Sequence, residues 1–254
     1  MLNSNKCCLK LLTKFYSGKE RTVLVFEYSC RVKLKEDVTY AKLPEKIGYL
    51  ISSILCKDEK YLEEHKSRNY TGYVPDYLWP IEKEGVYKKG KLYTTRIRTV
   101  RQDLAEYFST KLTGYETKEF TCVGGELRII PKRPIERIYS VTPLIIKNAA
   151  GPGYWRGNIT VPEFEERMKI NLIKKYKAIT GKEIDEDFVL YDLIKFDNKM
   201  PIKMPYKGIN LLGDKVTLKI ANNEMANELA YFALGVGACE LNYIGAGFMN
   251  YQYI

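Results

Sequence analysis

Proton transfer near neutral pH has one obvious candidate in these 254 residues, the single histidine His65, in the run Glu63-Glu64-His65-Lys66-Ser67-Arg68. An imidazole titrates near pH ~6.5 and serves as general base or general acid. The six cysteines, Cys7, Cys8, Cys30, Cys56, Cys122 and Cys239, include no C-x-x-C pair, so no zinc-ligand spacing can be assembled around one histidine. They read as reduced, mostly buried thiols, and the chain is expected to be cytoplasmic with no metal and no cofactor. A second unusual stretch is Gly235-Val-Gly237-Ala-Cys-Glu-Leu-Asn-Tyr-Ile-Gly245-Ala-Gly247-Phe248. Its glycines permit positive φ and close approach of backbone to a neighbour. A dinucleotide fingerprint would need a strand before the glycines and a helix after them. Here a helical pattern comes first, with Met225, Leu229, Phe232 and Ala233 at i, i+4, i+7 and i+8 of the segment 222–234. The nucleotide-cofactor reading is therefore excluded.

Charge narrows the partner. A net charge of +10 favours an acidic ligand, most simply nucleic acid, and 21 tyrosines interleaved with Lys and Arg suit stacking on unpaired bases. At 45% hydrophobic and 28% charged residues the chain reads as a soluble globular protein with a substantial core. No apolar run has the length of a signal peptide or a membrane span.

The elements that must position His65 follow in order. Residues 22–35 read as a strand with Cys30, Val32 and Leu34 on one face and Arg31, Lys33 and Lys35 on the other; the basic face is either solvated or in contact with RNA. Pro44 opens a helix whose stripe is Ile47, Leu50, Ile51, Ile54 and Leu55, with Tyr49 on the polar side. A charged extension, 58–68, carries His65. Strands are predicted at 67–73, 91–99, 117–130 and 135–146. A capping-box pattern from Thr99 to Gln102 starts a second helix with Leu104, Phe108 and Leu112 in register. This half reads β-α-β-β-α-β, the ferredoxin-like order. The Gly- and Pro-rich run 148–157 reads as a linker. Beyond it come a helix with Phe164, Met168, Leu172, Tyr176 and Ile179, strands at 188–196, 202–206 and 215–220, the helix 222–234, the glycine-rich stretch and a last strand near 248–253. The fold class is α+β, divided at 1–147 and 148–254.

Taken together, three stretches resemble the CRISPR-associated endoribonucleases that cut precursor CRISPR RNA within its repeats, members of the RAMP superfamily. They are the C-terminal glycine-rich stretch, the hairpin-like run from Ile81 to Thr99, and His65 placed after the first helix. Two registers of the glycine pattern stay open: Gly237 and Cys239, or Gly235 and Gly237, before Gly245 and Gly247. The stretch has Glu240, Leu241 and Asn242 where the family often carries Lys or Arg, which leaves packing beside the cleft as an alternative to phosphate contact. The resemblance implies two tandem ferredoxin-like (RRM-like) domains with a C-terminal glycine-rich loop. It also implies metal-independent cleavage of CRISPR repeat RNA, leaving a 2′,3′-cyclic phosphate and a 5′-hydroxyl. On it, His65 is the acid/base, Tyr49 its partner ahead of Tyr70 and Tyr73, and Lys66 with Arg68 the charge stabilisers. Arg31, Lys33, Lys118, Arg128, Lys132 and Arg133, together with Gly235, Gly237, Gly245 and Gly247, are expected at the RNA. CRISPR effector-complex subunits are further candidate partners, and monomer and homodimer both stay open. The alternative is a catalytically inactive RNA-binding RAMP subunit of an effector complex. A generic RRM protein is disfavoured because the aromatic signature strand is missing.

Overall fold

The computed structural model describes residues 22–67, 70–147 and 154–254; Cys7, Cys8, Arg68, the side chain of His65 and residues 148–153 of the linker candidate lie outside them. Strand β1 (Val25–Leu34) has the alternation its sequence requires, with Tyr28, Cys30, Val32 and Leu34 buried and Arg31 and Lys33 exposed. It is a central strand of an antiparallel sheet, between β5 (Leu92–Thr99) and β6 (Phe120–Ile130), with β3 (Tyr73–Pro75) outside β5. Helices α1 (Leu43–Leu55) and α3 (Gln102–Lys111) cover its apolar face, placing Ile47, Leu50, Ile51, Leu104 and Phe108 against the β1 residues. Pro44 sits in the first turn of α1, where its missing N–H has no intrahelical partner to lose. The two-residue strands β2 (Val38–Thr39) and β4 (Val86–Tyr87) pair separately.

The second sheet is also antiparallel and contains β7 (Ile135–Ser140), β8 (Tyr191–Phe196), β11 (Val216–Ile220) and β12 (Met249–Tyr253) in the order β12-β7-β11-β8. Helices α4 (Val161–Thr180) and α5 (Glu224–Val236) pack on it through Phe164, Met168, Leu172, Leu229 and Phe232. A capping box between Thr160 and Glu163 starts α4, and Gly181 in the left-handed region ends it. Strands β9 (Ile202–Tyr206) and β10 (Ile209–Gly213) form a hairpin turning through Lys207 and Gly208, both at positive φ. Taken by chain order of their own strands, both four-stranded sheets run fourth-first-third-second. No helix among the described residues is long and apolar enough to cross a membrane.

Several expectations are corrected. The strand predicted at 135–146 to close the first half ends at Ser140 and pairs with β11 and β12 instead. Pro131 and Pro134 interrupt the chain after β6, which already holds the outer place beside β1. Of the strand expected at 67–73, the described residues give Ser67 to the end of helix α2 (Glu59–Ser67), and pairing begins at Tyr73. The Thr99 capping box does not form. The Thr99 hydroxyl donates to the Gly72 carbonyl (2.6 Å) and accepts from the Arg101 backbone (3.0 Å), and Arg101 becomes the residue before α3.

The two halves meet through a buried ion pair. Arg98 of β5 donates from Nε to Glu27 of β1 (2.7 Å) and reaches out of its sheet to the Met249 carbonyl of β12 (2.5 Å). Its guanidinium lies 4.4 Å from the ring centre of Phe248. Burial pushes the Glu27 carboxyl up, but Arg98 and Arg128 together hold it below the usual carboxylate range. Arg98→Ala leaves Glu27 buried with Arg128 alone, and is expected to lower the unfolding free energy by roughly 3–5 kcal/mol in a urea titration. A loss under about 1 kcal/mol would contradict this role.

Candidate active site

Where α1 faces the second half, a groove of about 1140 Å³ opens, bordered by Tyr49 and Ser52 of α1, Glu64 of α2, Thr71, Lys118, Lys147, Tyr206, Lys207 and Tyr243. It continues into a cavity of about 600 Å³ over α4, with Thr71, Lys147 and Tyr243 lining both. The second cavity adds Tyr70, Arg167 and Lys174. Lys118 and Lys147 are mostly exposed and face their nearest carboxylates, Glu36 and Glu240, only at 3.9 Å. At that distance in water the pairing leaves most of the positive charge available to a polyanion. Lys46 is different, tied to the buried Glu119 at 2.6 Å.

Helix α2, which carries His65, is held by charges at its base. Arg101 donates to both oxygens of Glu64 (2.5 and 2.9 Å) and also to Asp103 (2.6 Å). Asp103 takes a further bond from Lys60 of α2 (2.7 Å). Burial opposes ionisation of Asp103, yet Arg101 and Lys60 hold its carboxyl far below the usual range. The residue before His65 is therefore fixed by a bidentate fork, and residues on both sides of it, Glu64 and Thr71, border the groove.

Across the groove the glycine-rich stretch is organised by a lysine that the sequence reading did not select. Lys175 of α4 is only 4% exposed and donates to the carbonyls of Gly237 (3.0 Å) and Cys239 (2.6 Å) and to Asn242 Oδ1 (2.6 Å). Asn242 in turn donates to the carbonyls of Ala238 (3.0 Å) and Ala246 (2.9 Å). The signal was present: Lys175 lies seven residues after Met168 and three after Leu172, on the apolar stripe of its helix.

The remaining predicted residues are dispersed. Tyr49 is 56% exposed on the groove wall and Tyr70 is 42% exposed in the adjoining cavity. Tyr73 is buried, and burial pushes its phenol well above its ordinary value, which makes it a poor proton donor. Lys66 pairs with Glu63 at 3.0 Å and is not among the groove residues. Among the described residues, Lys118 alone of the predicted RNA-contact cations lines the groove. Arg31 and Lys33 project from the face of β1 opposite α1, Arg128 is bound to Glu27 (2.6 Å), Lys132 to Glu228 (2.5 Å), and Arg133 lies over the Tyr253 ring. Gly235, Gly237, Gly245 and Gly247 are all buried. Gly235 lies inside α5, where a Cβ would meet Val100 Cγ1 at 2.6 Å; Gly247 has φ +65 against the Ala238 backbone. At these two positions the absence of a side chain permits close packing.

No family model matches the chain, and no curated protein matches it. Solved structures match in shape. A CRISPR-associated protein Cas6 aligns with a TM-score of 0.62 at 18% identity, over 90% of this chain and 99% of its own. A Cas6-related protein from Pyrococcus furiosus gives 0.63 at 13%, over 90% and 98%. An RAMP protein described as binding different RNA substrates gives 0.66 at 14%, over 89% and 99%. The chain therefore has the mixed α/β fold of RAMP proteins along nearly its whole length. Among solved structures that is the fold of Cas6, in agreement with the resemblance read in the sequence.

The Lys175 contacts predict a pH dependence. Its three partners are all acceptors, which suits an ammonium, but burial dominates and pulls the group down to about 7. The unfolded value is ~10.4, so between the two the unfolded chain binds a proton that the folded one does not, and stability rises with pH. Relative to Lys175→Met, the wild type is expected to gain up to about 1.4 kcal/mol per pH unit above pH ~7 in urea titrations. A difference that stays flat to pH ~9.5 would contradict the assignment.

Proposed function

We propose that the chain is an endoribonuclease that cuts CRISPR repeat RNA in precursor transcripts without a metal ion, leaving a 2′,3′-cyclic phosphate and a 5′-hydroxyl. The observation that carries this reading is the groove where Tyr49 and the loosely paired Lys118 and Lys147 stand, with Lys207, at the end of the helix bearing the only histidine. Of the lining acids, Glu119 is tied to Lys46 and Glu64 to Arg101, which leaves Glu45. In the reaction a base removes the ribose 2′-OH proton, the 2′-oxygen attacks phosphorus, and an acid protonates the departing 5′-oxygen. His65 and Tyr49 divide those proton transfers, and the groove lysines stabilise charge on the phosphorane. Lys118 and Lys147 suit that role better than Lys66, which is paired with Glu63. The shared strand order of the two sheets supports tandem ferredoxin-like modules, with β7 opening the second. The glycine-rich loop acts as packing that holds Tyr243 at the groove. Structures aligned with the chain include Cas6 product complexes, which supports RNA as the ligand.

A second reading, a non-cleaving RNA-binding subunit of an effector complex, is favoured by the dispersal of the predicted cations and by the RAMP protein that binds different RNA substrates. Labelled repeat RNA incubated with the purified protein in EDTA separates the two. Cleavage is expected in chelator, with His65→Ala slowing it by roughly 10²- to 10⁴-fold while binding stays near wild type. Binding without cleavage by the wild type would give the second reading, and a strict need for added magnesium would sink the first.

A further inference from the structure

On the face of the first sheet opposite α1 and α3, strand register sets Trp79, Thr94, Arg31 and Gly124 in one row. The next row holds Leu92 opposite Lys33. Trp79 is 64% exposed and Leu92 58%, and Arg31 and Lys33 are exposed beside them. An indole in water on a flat sheet face, rather than in the core beneath it, is unusual for the largest apolar side chain. Its backbone is held on both sides: Trp79 N–H donates to the Thr94 carbonyl (2.8 Å) and Thr94 N–H to the Trp79 carbonyl (2.7 Å). Arg31 lies across Gly124, where a Cβ would sit 3.7 Å from its Nη2. Of the acids near this face, Asp76 is occupied by Arg96 and Glu82 by Tyr93 and Lys91, and Glu126 stands one row away, opposite Ser29. What is left is an aromatic plane with two cations about two strand spacings, roughly 10 Å, away.

That combination fits a strand whose bases are free to stack and whose backbone is anionic. A paired helix hides its base faces and would find no use for the indole. We propose that this face is a second RNA-contact surface, distinct from the groove, on which an unpaired base stacks on Trp79 and adjoining phosphates meet Arg31 and Lys33. The proposal rests on the reading of the chain as an RNA-binding protein and is independent of whether it cleaves. It also gives a role to the basic face of β1, which the groove does not use.

The chain has two tryptophans, and the other, Trp155, is buried at 3% exposure against Phe164 and Phe196. In Trp155→Phe protein the emission therefore belongs to Trp79 alone. Titration with single-stranded oligouridylate is expected to quench it, and a blunt RNA duplex of equal length is not. Trp79→Ala should raise the Kd for the single strand by roughly five- to hundredfold in a gel-shift titration, with Trp79→Phe between it and wild type. If Trp155→Phe does not fold, the difference between wild type and Trp79→Phe gives the same signal. RNA binding with no change in Trp79 emission would overturn this surface while leaving the groove intact. Failure to bind any RNA would overturn it together with the RNA-binding reading.

Discussion

The buried Glu27–Arg98 pair is the constraint on which the geometry of this molecule depends. A guanidinium taken out of water must find acceptors, and Arg98 finds them in both halves: a carboxylate on β1 and a backbone carbonyl on β12. Because β12 follows the glycine-rich loop in the chain, fixing its first residue against β5 also fixes the end of that loop. The cation-π contact with Phe248 closes the same joint from above. The two sheets are thus joined by a directional contact, not only by apolar area.

The other end of the loop is fixed by Lys175. Its three oxygen partners leave Gly237 through Asn242 little freedom, and Asn242 links the turn internally. Between these two anchors Tyr243 and Leu241 reach the groove and cavity. On the opposite wall, Arg101, Glu64 and Asp103 hold the histidine-bearing α2 by charge, while the loop is held by hydrogen bonds from Lys175 and Arg98. A polyanion entering between them meets lysines that are only loosely paired.

Much of this was legible in the sequence, for a physical reason. Local periodicity dictates which face of α1 and β1 is apolar, and Ile47, Leu50 and Val32 lie where it puts them. Long-range pairing leaves no such trace: nothing local tells β7 that its partners are β11 and β12, some eighty and a hundred and ten residues away. The break between α1 and α2 was hidden because Asp58, which accepts from the Lys60 backbone, resembles an ordinary polar helix residue. The glycine spacing left phosphate contact and packing both open, because sequence does not show what approaches a backbone; Gly235 faces Val100 closely and Gly247 bends against Ala238. Lys175 escaped because a charged residue on an apolar stripe is ordinarily read as a lysine whose tip reaches water.

RNA lying in the groove between α1 and the loop can be located by photo-crosslinking repeat RNA that carries 4-thiouridine at single positions, followed by mass spectrometry of the attached peptides. Adducts from nucleotides flanking the cleavage position are expected on Tyr49, Tyr243 or the peptide containing Lys147. Adducts from those nucleotides confined to other surfaces, with none on α1 or the loop, would contradict it.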